Sequence, residues 1–200
     1  LDILSQLGAA PSPRTRAMAR SAMPATFVGR KREIDELRRA QADTRRRGQT
    51  VLIKAKSGMG KSALVRAFLR SLGETVFVIE GRCFEREQVP FKMLDGVVDM
   101  LTAVVLAQPP ADIDALVPKD LGALVRLFPV MKRIKRFADV GPAPGEPAEL
   151  RRRGFAALRA VMTRLARMRP LVIFVDDAHW GDADSIAFFV DLIHNPETQI

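Results

Sequence analysis

Residues 54–62 read KAKSGMGKS, and this stretch decides the fold. Before it runs TVLIK (50–54), a short apolar, β-branched segment of strand type. After it Ala63, Leu64, Ala67, Phe68 and Leu72 recur at helical spacing. Strand, glycine-containing turn and helix in that order are the setting of a phosphate-binding loop. Gly58 and Gly60 permit torsions closed to other residues, and the positive end of the following helix points at the same place. Lys61 is then expected to reach β- and γ-phosphates and the Ser62 hydroxyl to ligate magnesium. The candidate nucleotide-contacting set of the loop is Ser57, Gly58, Met59, Gly60, Lys61, Ser62 and Ala63.

One position departs from G-x-x-x-x-G-K-[ST]: Ala55 stands where the pattern has its first glycine. With φ negative there, alanine fits; with φ positive, its methyl costs about 1 to 2 kcal/mol.

The second informative stretch is LVIFVDD (171–177), an apolar strand ending in two adjacent carboxylates. Ligands of open α/β sheets bind at strand carboxyl ends. Asp176 is therefore the candidate magnesium ligand beside Ser62, and Asp177, with Lys61, the candidate catalytic group, acting as general base on a hydrolytic water. His179 and Trp180 come next and read as a packed loop tryptophan beside a satisfied histidine.

Other segments extend the pattern. Ile34, Leu37 and Ala40 mark a surface helix over 31–47, and TVFVI (75–79) a buried parallel strand. Helices are expected from Pro90 to about Ala107, stopped by Pro109 and Pro110, and from Lys119 to Phe128. Others run over 148–169, with an apolar face of Leu150, Phe155, Leu158, Val161, Met162 and Leu165, and from Asp184 to Ile193. Alternating strands and helices imply an α/β parallel sheet flanked by helices. Residues 1–24, rich in Pro, Ser, Ala and Arg, read as a linker following an upstream domain, leaving 25–200 as the folded unit.

Composition sets outer limits. At 200 residues and 48% hydrophobic the chain can bury a core, and no stretch approaches the roughly 18 apolar residues of a membrane span. The N-terminus has no secretory pattern, and the single cysteine, Cys83, forms no internal disulfide, so a cytoplasmic setting is expected. Lys and Arg number 32 against 23 Asp and Glu, a net charge of +9 that suits a polyanionic partner. Basic clusters at 132–136 (KRIKR) and 151–153 (RRR) keep DNA open as a partner, but no helix-turn-helix or zinc finger accompanies them.

FVGRKREIDEL (27–37), KSGMGKS (56–62) and LVIFVDDAHWGDADS (171–185), in that order, resemble the AAA-related signal-transduction ATPases of the STAND, Orc1-like type. The resemblance covers about 27–193 and implies a P-loop NTPase fold with ATP and Mg2+ bound. It implicates Val28, Gly29 and Arg30 in lining the adenine pocket. GRCFEREQVPFKMLDGVVDML, DLGALVRLFPVMKRI and ELRRRGFAALRAVMTRLA further resemble the ATPase portion of bacterial serine/threonine protein kinase–ATPase fusions, although no kinase motif is present. The resemblance implies a regulatory ATP-binding and hydrolysing module whose partners are flanking signalling domains and, by self-association, other copies. The alternatives are a DNA-binding ATPase or LuxR-like transcriptional regulator, and a scaffold that binds nucleotide without turnover. The family's sheet order, 5-1-4-3-2, puts a fourth strand between the one feeding the loop and the one carrying Asp176. That strand is expected beyond NPETQI, so the domain is expected to be incomplete at its C-terminus and slow to hydrolyse ATP alone.

Overall fold

The computed structural model describes residues 29–43, 48–85, 90–141 and 143–194. The expected linker over 1–24 and the candidate residue Val28 lie outside them.

Two parallel strands, β1 (Phe77–Arg82) and β2 (Leu171–Asp176), pair in register from Phe77 opposite Leu171 to Arg82 opposite Asp176. Successive strand side chains point to opposite faces, and both faces of this ribbon are covered. Phe77, Ile79, Leu171, Ile173 and Val175 enter the larger core. Val78, Val172 and Phe174 pack with Val65, Phe68 and Leu69. The latter three lie on α2 (Lys61–Ser71), the helix that follows the phosphate loop, and α1 (Lys31–Asp43) packs beside it.

The larger core is built from α3 (Lys92–Leu106), α4 (Pro110–Leu116), α5 (Leu121–Leu127), α6 (Lys135–Ala138), α7 (Pro147–Met168) and α8 (Ala183–His194). α3 lies directly on β1: a Cβ added at Gly81 would come within 2.6 Å of Val97 Cγ2 and 3.3 Å of its backbone nitrogen. Phe91, Phe128, Phe155 and Phe188 form a chain of ring contacts joining α3, α5, α7 and α8.

The structure corrects the expected elements in several places. Thr50–Lys54 forms no strand; Val51 and Leu52 are 51% and 72% exposed. A strand needs a neighbouring ladder, and β1 is the strand that pairs with β2, as the 5-1-4-3-2 order also requires. Among the described residues no strand lies where that order would join Thr50–Lys54 to β2, although Ile53 still packs on the α2 core. The strand expected over 75–79 is shifted to 77–82, because Gly73–Thr75 closes a 3-10 turn first. Pro109 and Pro110 end α3 and also start α4, with Pro110 in the first turn, where a missing N–H costs nothing.

Candidate phosphate and metal site

Lys54–Gly60 is exposed and turns through Lys56 to Met59, whose N–H donates to the Lys56 carbonyl at 3.4 Å. Gly58 and Gly60 take φ of 78° and 77°, the left-handed region that favours glycine, so both use the torsional freedom that glycine supplies. Ala55 is not among the positive-φ residues, so its methyl group is unstrained. Gly60 is the N-cap of α2; no side chain caps that end and no acidic residue stands in its first turn. An uncapped helix N-terminus behind a glycine turn presents backbone N–H groups and positive potential to an anion.

Four charged or hydroxyl side chains converge on that end. Lys61 folds back over its own loop, its Nζ donating to the carbonyls of Ala55 at 3.1 Å and Lys56 at 3.3 Å. Ser62 Oγ donates to Asp176 Oδ1 at 2.8 Å, joining the start of α2 to the end of β2. Asp176 is buried, and the alternation of β2 explains its aim: it shares the face of Val172 and Phe174, which is covered by α2. Asp177, at φ 54°, turns off the strand, and its Oδ2 accepts hydrogen bonds from Arg82 Nε at 3.2 Å and Nη2 at 3.1 Å.

Ser62 and Asp176 fit magnesium in the way of phosphate-loop sites, with two protein oxygens side by side and the remaining positions left to phosphate and water. No group of three or more His, Cys, Asp or Glu side chains suited to a metal ion occurs among the described residues.

The structure gathers Lys61, Ser62, Asp176 and Asp177 at one end of the sheet. Arg30, at φ 54°, reaches the same loop, its Nη2 donating to the Met59 carbonyl, and Gly29 precedes it at φ 91°. Met59 and Ala63 are exposed. His179 and Trp180 make a tilted ring contact at 4.8 Å between centroids, but Trp180 is 37% exposed and His179 is exposed, so the expectation of a packed tryptophan does not hold. The 3-10 turn of Ala178–Trp180 carries them off the sheet.

Two basic residues near the carboxylates were not singled out from the sequence. Arg82 closes β1, and Arg66 lies one helical turn beyond Ser62, with Nη2 3.6 Å from Asp176 Oδ2 and Nε 3.7 Å from Glu80 Oε2. The spacing of Ser62 and Arg66 puts both on one face of α2, a signal the sequence did carry. A separate cleft lined by Pro90, Phe91, Asp95, Val98, Leu127, Phe128, Pro129 and Val130 includes none of the phosphate-loop residues.

The profile of a family described as AAA ATPase domain matches residues 26–199. No significant match was found among curated proteins or solved structures.

Proposed function

The chain belongs to the AAA ATPase domain family, and from that premise we propose that it is an ATP-binding and ATP-hydrolysing regulatory module of the STAND type, working within a signalling protein. The observation that carries the reading is the Ser62–Asp176 hydrogen bond at 2.8 Å, across 114 positions of sequence, at the uncapped start of α2.

In this reading the amides of Gly58 to Ser62 hold the nucleotide's phosphates, and Lys61 exchanges its two loop carbonyls for phosphate oxygens. Gly29 and Arg30 border the nucleotide from the α1 side, with Arg30 tied to Met59. Ser62 and Asp176 hold magnesium, which when bound neutralises charge on the phosphate oxygens. Asp177 takes the proton of the attacking water, for which its carboxylate must leave Arg82. The kinase-fusion context supplies the signalling role and rests on sequence resemblance.

A nucleotide-dependent scaffold is a second reading, and the two Arg82 hydrogen bonds on Asp177 favour it, since they occupy a carboxylate oxygen that would otherwise face the attacking water. Comparing wild type with Lys61→Ala and Asp177→Asn, in a chain extended past residue 200 to include the expected fourth strand, decides. Lys61→Ala is expected to lose MgATP binding by at least about ten-fold, and Asp177→Asn to bind normally with hydrolysis down about 100-fold. Unchanged binding in Lys61→Ala would contradict the phosphate site. A wild type without hydrolysis would leave the scaffold.

A further inference from the structure

Six charged side chains surround the carboxyl ends of β1 and β2, three of each sign: Lys61, Arg66, Arg82, Glu80, Asp176 and Asp177. Arg82 is spent on Asp177 and Lys61 on backbone carbonyls. Arg66 alone stands between two carboxylates, 3.6 Å from Asp176 and 3.7 Å from Glu80. Neither approach is a hydrogen bond, so what Arg66 supplies is charge rather than directional bonding. Its place is fixed from both sides. Ser62 and Arg66 are four residues apart on α2, so they share a face. Glu80 lies opposite Phe174 in the ladder, on the strand face that carries Asp176 two residues further on.

We propose that Arg66 is a positioning residue that sets the magnesium affinity of the nucleotide site: a built-in cation balancing Asp176 and Glu80 and competing electrostatically with the metal. The inference rests on the nucleotide-site reading above. With Arg66 present, the Asp176–Glu80 pair carries a net charge of −1 towards the incoming metal; without it, −2. A cation fixed there favours the bare polyphosphate and disfavours the divalent ion. It therefore shifts nucleotide binding and metal binding in opposite directions. A residue that merely held the helix in place would weaken both.

The test is titration of the full chain with ADP in the absence of divalent metal, and of the ADP-bound chain with magnesium, at low salt. Removing one unit charge close to a divalent ion predicts that Arg66→Met binds magnesium about ten-fold tighter and metal-free ADP about three-fold weaker. Glu80→Gln, which leaves Arg66 to Asp176 alone, moves both in the reverse sense. Arg66→Lys keeps the wild-type ratio, and the shifts shrink as salt is raised. Magnesium and ADP affinities falling together in Arg66→Met, or neither moving, would overturn the proposal, and Glu80→Gln decides it independently should Arg66→Met fail to fold. A wild type that binds no ADP would remove the site itself, and the inference with it.

Discussion

Ala55 occupies the position at which the phosphate-loop pattern has its first glycine, yet it stays out of the positive-φ region. A methyl group there is therefore neutral to the folded loop, and glycine would mainly loosen the unfolded chain. Ala55→Gly is expected to leave ATP affinity within about two-fold and to lower stability by about 0.4 to 1 kcal/mol, read by nucleotide titration and thermal melting. A fall in ATP affinity would show that the methyl shapes the loop. The residues of this site were the most legible part of the sequence, since glycines and Lys-Ser at fixed spacing, and two aspartates after an apolar run, are direct statements of backbone and charge requirements. Arg66 and Arg82 were not legible in the same way. Arginine is frequent throughout the chain, and only the register of β1 with β2 and the turn of α2 show which ones meet the carboxylates.

At the scale of elements, α8 and α3 are fastened at one residue. Asp182 precedes α8, accepting from Ser185 N–H at 2.9 Å, from Ser185 Oγ at 2.7 Å and from Met93 N–H at 3.4 Å. Burial acts to raise this carboxyl, but the hydrogen bonds from Ser185 and Met93 outweigh it and hold it below its ordinary 3.8. A folded pKa below the unfolded one stabilises fully above about pH 4, and the contribution is lost as pH falls through the folded value. Asp182→Ala is expected to cost about 1 to 2 kcal/mol at pH 7 and to flatten the acid limb of the stability profile, measured by urea unfolding across pH. The close seat of α3 on β1 gives a second prediction. Gly81→Ala drives a methyl group against the Val97 side chain and backbone and should lower stability by about 1 to 3 kcal/mol in the same assay. Helix positions were readable from periodicity, whereas α4 was hidden because its opening Pro110 reads equally as the stop of α3. The strand expected at Thr50–Lys54 shows the complementary limit. Apolar, β-branched sequence states a preference for extended backbone, but a strand exists only where a neighbour offers its ladder.

Over the whole molecule, the net charge of +9 is distributed less freely than the sequence suggests. Arg151 pairs with Asp184, Arg153 with Asp120, Arg136 with Asp114 and Arg159 with Asp191, so the 151–153 cluster is largely engaged within the fold. Duplex DNA titrations at two salt concentrations are therefore expected to show weak, sequence-independent binding; site-specific affinity with a steep salt slope would contradict this. No described helix is long and apolar enough to cross a membrane. What unifies the described residues is a narrow parallel ribbon between two helical layers, with Ser62 of α2 and Asp176 of β2 meeting at one edge. Whether nucleotide binds at that edge is read most directly by hydrogen exchange at the backbone amides of Gly58 to Ser62, with and without MgATP. Slowed exchange confined to these amides and the neighbouring end of β2 is expected. ATP bound without protection of the loop, or protection centred on the cleft at Phe91 and Phe128, would contradict it.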